Sequence, residues 1–506
     1  MKLIYGVNDK PKFGQLIVFA IQQLLAIMAA TLVVPVITGH GMSSAAALLG
    51  AGLGTLVYVF FTLKKSPVFL GSSFAFLGSM AAAFAGATTI ELGYVGLILG
   101  GCFAGIVYIV IALIVKIAGV KWIDKLMPAA VIGPTVAIIG LSLAGNAISD
   151  LSKVNYSYEI EDAENYRIVE TVKISGTEDA AENVIVSAEV TDAEGNPASG
   201  VAAVYDEASG EYNLVKTPGS VYVAVICGLI TLFVTMLCSC YGKKMTRLIP
   251  FIIGILAGYA AACIFYIIGM ASGNDALMII NFVPYADLVK DGVTLSTFFS
   301  VPEFTFVTAS KGLSQINSQY IVSIIVAYVP VAFVVFAEHI ADHKNISSII
   351  EKDLLTDPGL SRTLLGDGVG SIVGAFFGGC PNTTYGESVG CVAITKNASV
   401  VTIIAAAIGA ILISFINPFV AFVNSIPSCV MGGVCMALYG FIAVSGLKMI
   451  KNVDLELNKN LFVVSVILIA GIGGFVLSFG EITITSIACA LILGIITNLI
   501  VSKAKE

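Results

Sequence analysis

Gly378-Gly379-Cys380-Pro381-Asn382-Thr383-Thr384-Tyr385-Gly386-Glu387-Ser388 breaks an otherwise apolar run with small and polar residues and one acid. Val68-Phe69-Leu70-Gly71-Ser72-Ser73-Phe74-Ala75-Phe76 has the same character. Each reads as a short β-strand leading into a half-helix. What these breaks mean depends on the solvent around them. Of 506 residues, 57% are hydrophobic and only 12% charged, and the mean hydropathy is +0.96. Water-soluble domains carry about 45–50% apolar residues even with glycine counted. A chain this apolar has too little polar surface to face water, so it belongs in a bilayer. That composition, with a net charge of −7, excludes a cytosolic enzyme and a nucleic-acid binder.

In lipid, irregular backbone survives only where protein or a water-filled cavity satisfies it. Interrupted segments at matching places in two halves of a chain point to a transport site. The spacing supports such a match. Gln23 precedes Ser72 by 49 residues, and Glu338 precedes Glu387 by 49. Hydropathy and Gly/Pro/charge punctuation give spans near 14–36, 44–63, 67–86, 92–115, 126–148, 219–241, 246–271, 319–341, 361–378, 381–396, 399–422, 427–447, 460–479 and 481–502. Seven spans per half is odd, so the second half is inverted relative to the first. The expected fold is an all-α polytopic membrane protein of fourteen segments in two inverted repeats of seven. Short strands lie in segments 3 and 10, and segments 1, 3, 8 and 10 cross at the centre. The half-helices that begin after Ser73 and at Gly386 would aim free backbone N–H groups at that centre.

Residues 150–217 do not share the apolar bias. They hold fifteen Asp/Glu against four Lys/Arg. Alternating runs at 166–172 and 183–190, with turn signals at 192–197 and 207–210, predict a small β-rich insert. It suits a solubilising acidic loop and a partner-binding module equally. The chain thus divides into segments 1–5 (residues 1–149), the insert (150–217) and segments 6–14 (218–506).

With both termini in the cytoplasm, 20 of the 26 Lys/Arg fall in cytoplasmic loops or tails, including Lys64, Lys65, Lys243, Lys244, Lys503 and Lys505. The other six lie in the two long outer segments, and this is the positive-inside pattern. The insert then faces outward. Lys2, Lys10 and Lys12 precede a first apolar run that lacks a cleavage signal, so that run is expected to be a retained span. The ten cysteines all lie in apolar segments, with no disulfide or zinc spacing among them. No metal, cofactor fingerprint or catalytic nucleophile is expected.

Glu338 and Glu387 are the conspicuous acids. Glu338 stands in Ala337-Glu338-His339-Ile340-Ala341-Asp342-His343, where Asp342 is at i+4 on the same helical face and His339 is turned about 100° away. An ionisable group at membrane depth marks function by default. Carboxylates this close in a poorly solvated place cannot all keep a charge cheaply. One of Glu338, Asp342 and Glu387 can therefore hold a proton, and proton coupling needs such a group. His339 is expected to be packed or interfacial, and His343 and His40 to be solvated and bland.

At these positions the chain resembles the nucleobase–ascorbate transporter family, and within it the bacterial uracil permease branch. The matching stretches are Gln22-Gln23-Leu24 with Val33-Val34-Pro35-Val36, Gly71-Ser72-Ser73-Phe74-Ala75-Phe76, Ala337-Glu338-His339-Ile340, Pro381 through Gly390, and Pro427-Ser428-Cys429-Val430-Met431-Gly432-Gly433 leading to Tyr439-Gly440. The resemblance implies a core domain (segments 1–4 and 8–11) moving against a gate domain (5–7 and 12–14), as a homodimer in the bacterial cytoplasmic membrane. It implies that Glu338 and Glu387 accept the N–H groups of uracil. Backbone amides at Phe74 and Gly386 would donate to its carbonyls, with Ser73 beside them. Tyr385 would line the pocket and Tyr439 would approach from the gate. Gln23 and Ser388 are further candidates. The coupling ion would be H⁺.

Two positions depart from the family's pattern. Gln23 stands where a His is common, and Asp342 stands where uracil permeases carry His and purine carriers an acid. Import of uracil with protons is the leading expectation, with xanthine or another oxopurine as the alternative. An anion transporter of the same fold is disfavoured by an acid at the Gly386 half-helix. A receptor built around the insert is a third possibility.

Overall fold

The computed structural model describes residues 3–119, 121–154, 165–175, 182–196, 198, 201–206, 211–216, 219–243, 245–290, 292–479 and 482–502. The turn signal at Glu207–Gly210, Pro197 of the other turn, and Lys2, Lys244, Lys503 and Lys505 of the charge pattern lie outside the described residues.

The first half runs α1 (Phe13–Thr38), α2 (Ser44–Phe61), β1 (Leu70–Ser72), α3 (Leu77–Ala85), α4 (Ile90–Ala118), α5 (Ala129–Ser142) and α6 (Ala144–Ser152). In the insert are β2 (Tyr166–Ser175), β3 (Glu182–Asp192), β4 (Val201–Asp206) and β5 (Glu211–Lys216). Then come α7 (Val221–Tyr241), α8 (Pro250–Ser272), α9 (Ser318–Ile350), α10 (Leu360–Gly378), β6 (Asn382–Thr384) and α11 (Gly386–Thr395). The last stretch holds α12 (Val400–Ser414), α13 (Asn417–Ser425), α14 (Ser428–Ile450), α15 (Asn458–Ile472), the hairpin β7 (Leu477–Phe479)–β8 (Ile482–Ile484), and α16 (Ser486–Val501). Eight helices among the described residues are long and apolar enough to cross a membrane, α5 and α6 counting together. The other apolar segments are shorter or broken.

Local chemistry sets the helix ends. Ser43, Thr89 and Asn317 accept backbone N–H bonds from Ala46, Leu92 and Tyr320 at the starts of α2, α4 and α9, as N-caps do. Gly379, with φ +74°, ends α10 in the left-handed conformation that glycine adopts without strain. Four segments read from hydropathy as unbroken helices depart from that reading: two are interrupted, one at Leu143 and one at Phe415–Ile416, and spans 460–479 and 481–502 carry the strands β7 and β8 at their adjoining ends. Pro418 follows the second break in the first turn of α13, where its missing N–H costs nothing.

Small residues bring α10 close to α2 and α4. A Cβ on Gly50 would lie 2.9 Å from the Gly374 carbonyl oxygen, and one on Gly101 would lie 2.2 Å from the Ala375 Cβ. Lipid gives helices no hydrophobic drive to associate, so such close backbone approach supplies the packing energy instead. The strands from the two halves meet inside this bundle. β1 and β6 pair antiparallel, with Leu70 opposite Thr384, Gly71 opposite Thr383 and Ser72 opposite Asn382.

The insert's strands form two antiparallel hairpins, β2–β3 and β4–β5. The turn after β3 is held by Asp192, whose carboxylate accepts N–H bonds from Glu194 and Asn196. Those donors, Asn196 foremost, hold the Asp192 carboxyl below the usual carboxylate range.

Candidate carboxylate cavity

Both strand-to-helix junctions are braced from behind. The Tyr385 hydroxyl donates to the Ser72 carbonyl oxygen at 2.6 Å. The Ser371 hydroxyl donates to the Asn382 carbonyl oxygen, and the Asn382 amide donates to the Gly50 carbonyl oxygen at 3.0 Å. The Ser73 N–H donates to the Pro381 carbonyl oxygen at 3.0 Å. Gln23 Nε2 donates to Ser388 Oγ at 2.5 Å, and that oxygen also accepts the Phe69 N–H at 3.0 Å. Three-residue strands cannot hold themselves together, so these bonds fix the backbone through neighbouring helices.

In front of the junctions lies a cavity of about 360 Å³, toward the small end of the range for ligand pockets. One wall carries Phe74, Glu338, Asp342, Thr383, Tyr385, Gly386 and Glu387. The facing wall comes from α5, α8 and α14 and is mostly apolar, with Val136, Phe251, Leu438 and Phe441. Glu338, Asp342 and Glu387 are half-buried, and Gly386 is open to the cavity. Arg247 is the one basic residue among those lining it. Thr384 donates its hydroxyl to Asp342 Oδ2 at 2.8 Å, tying the acid of α9 to β6.

The structure thus brings Glu338, Asp342, Glu387, Phe74, Tyr385 and Gly386 to one cavity, and it sets the other candidates behind the wall. Ser73 is buried with no hydrogen-bond partner for its hydroxyl among the described residues. Gln23 and Ser388 are spent on each other. Tyr439 is buried and is not among the residues lining the cavity, and its ring packs edge-on against Phe74 at 5.9 Å.

The opposite face of α9 corrects one expectation and adds a residue that the reading of the sequence missed. His343 is fully buried, not solvated. Its Nδ1 donates to the His339 carbonyl oxygen at 2.8 Å, and Nε2 meets the Tyr58 hydroxyl at 2.7 Å. Its place at the end of an apolar run suggested water, but α2 packs over it. His339 Nδ1 contacts Asp367 Oδ2 at 2.6 Å, and its Nε2 contacts Thr363 Oγ1 at 3.0 Å. Asp367 is fully buried on α10. The signal was present in Gly366-Asp367-Gly368, an acid inside an apolar span. His40, in the first outer loop, is exposed and stacks on Phe84 at 4.1 Å.

The sequence pattern of the permease family matches residues 14–175 and 202–479. The chain is 33% identical to the uracil permease of Bacillus caldolyticus, covering 99% of this chain and 95% of that one. It is also 33% identical to the uracil permease of Escherichia coli (strain K12), covering 98% and 93%. In fold it resembles the transmembrane domain of a cyanobacterium bicarbonate transporter, BicA (TM-score 0.55, 12% identity, 97% of this chain and 100% of that one). It resembles the murine Solute Carrier 26 family member A9 anion transporter in the same way (TM-score 0.57, 9% identity, 98% and 69%). At such identities the likeness concerns the fold alone. The motifs around the two junctions and the match along nearly the whole chain agree, and the chain belongs to the xanthine/uracil permease family.

Proposed function

We propose that this protein imports uracil with protons across the bacterial cytoplasmic membrane by alternating access. The observation that carries the reading is the meeting of Glu338, Asp342 and Glu387 with the helix starts at Phe74 and Gly386 around one small cavity. Uracil is flat and neutral and presents N–H donors alternating with carbonyl acceptors. Ionised carboxylates only accept, and backbone N–H groups only donate, so together they complement the ring edge. Phe74, Phe251 and Phe441 offer apolar surface to its faces. The relatives' names as uracil permeases support the same substrate.

Three clustered acids with one cation among the lining residues do not all stay ionised in a poorly solvated cavity. A proton bound with the substrate lowers the charge of the cluster by one, and its release to the cytoplasm loosens the hold on the substrate. In this reading fourteen segments form two inverted sets of seven. Both termini are cytoplasmic, the insert is outside, and two copies associate. The wall bearing Glu338 and Glu387 belongs to a core that moves against a gate containing α5, α7, α8 and α14. The cavity then opens toward the cytoplasm, past Arg247 and Met449.

Asp342 supports a second reading, an oxopurine such as xanthine, because a third acid on the cavity wall can accept a further ring N–H. One uptake assay separates the two readings. Cells expressing the chain should accumulate labelled uracil saturably, lose accumulation with a protonophore, and be inhibited more by unlabelled uracil than by xanthine or hypoxanthine. Stronger competition by xanthine moves the assignment to the oxopurine. Accumulation indifferent to the protonophore overturns proton coupling.

A further inference from the structure

We propose that a second cavity, at the opposite end of the same seam, is an outer waiting site that holds the substrate before the carboxylate cavity receives it. The proposal rests on the transport reading above. The cavity encloses about 680 Å³ and is lined by Val36 and Met42 on one side and by Asn281, Glu303, Asn424 and Ser428 on the other. α1 and α14 pass both cavities. Ala26 and Leu438 line the inner one, and Val36 and Ser428 the outer. Ten residues of helix separate each pair, roughly 15 Å of rise. Met28 and Leu32, which lie between the two levels on α1, form a buried apolar cluster with Val423 of the outer lining, and Ile252, Phe419 and Phe422 pack around it. This cluster stands beside the stretch of α1 that joins the two chambers.

The lining defines what the outer chamber takes. Asn424 and Ser428 make no side-chain hydrogen bond among the described residues, and Asn281 uses only its Oδ1, toward the Val283 N–H at 2.9 Å. These amides and the hydroxyl supply donors and acceptors together. Glu303 is the only charged residue among those lining the chamber, so its field repels anions. A neutral heterocycle with both donors and acceptors fits, and a carboxylate or bicarbonate ion does not.

The test uses intact cells expressing the full chain. Asn424→Ala and Ser428→Ala should each raise the KM for labelled uracil by roughly fivefold, the loss of one neutral hydrogen bond, with the maximal rate and surface abundance unchanged. A purely structural role would lower the maximal rate instead. Separately, Asn424→Cys is treated with a membrane-impermeant thiol reagent, with the wild type as labelling background. Uracil should slow its labelling, and should still do so when Glu338→Gln disables the inner cavity. An unchanged KM in both alanine variants, or protection that vanishes with Glu338→Gln, overturns the outer site. Failure of the wild type to take up uracil defeats the transport reading, and it is seen before any variant is examined.

Discussion

The Tyr385 hydroxyl donates a 2.6 Å hydrogen bond to the Ser72 carbonyl oxygen, joining residues 313 positions apart in the chain. Through it the junction after β6 holds the junction after β1, and the Tyr385 ring lies so close over Gly71 that a Cβ there would come within 2.3 Å of it. Tyr385→Phe keeps the ring and leaves the buried carbonyl unpaired. The expected cost is about 1–3 kcal/mol, read as a lower melting temperature of the purified protein, together with weaker uracil binding.

Gly71→Ala places a methyl group in the Tyr385 ring. Overpacking of this kind costs about 1–3 kcal/mol or more, and little folded protein should be recovered. Gly78, on α3, has open space where a Cβ would stand, with nothing within 4 Å, so Gly78→Ala should be recovered at wild-type levels. Equal recovery of the two variants by size-exclusion chromatography would count against the crossing geometry.

The His339–Asp367 pair is buried at both ends. Removing one partner of such a pair strands the other and costs about 3–5 kcal/mol. Asp367→Ala should therefore destabilise strongly, and Asp367→Asn, which can still hydrogen-bond the ring, should destabilise less. Replacing both residues with leucine should cost less than Asp367→Ala alone. Thermal unfolding in detergent measures the series.

The ends of the insert meet. A Cβ on Gly219 would lie 3.4 Å from the Val154 Cβ, so the chain leaves the bundle and returns at nearly one point. Removing residues 155–218 and joining Val154 to Gly219 through two glycines should preserve uracil uptake in both KM and maximal rate. Loss of uptake with normal surface abundance would make the insert part of the transport machinery.

The reach of the sequence differs from element to element. The two interrupted segments were legible because glycine, proline and polar residues in an apolar run have few uses in lipid. Glu338 and Asp342 were legible because their spacing puts them on one face. The burial of His343 depends on α2 folding over the end of α9, a contact between residues far apart in sequence, which periodicity does not report. Gln23 and Ser388 were legible as polar residues at the right depth, but their orientation toward each other is a matter of side-chain packing. Asp367 was overlooked although its signal was as plain as that of Glu387.

Equilibrium binding of labelled uracil to the purified protein tests the central claim most directly. The carboxylate cavity predicts saturable binding to the wild type and a loss of a hundredfold or more, about 3 kcal/mol for a charge-assisted hydrogen bond, in both Glu338→Gln and Glu387→Gln, with melting temperatures maintained. Wild-type affinity in either folded variant would contradict it.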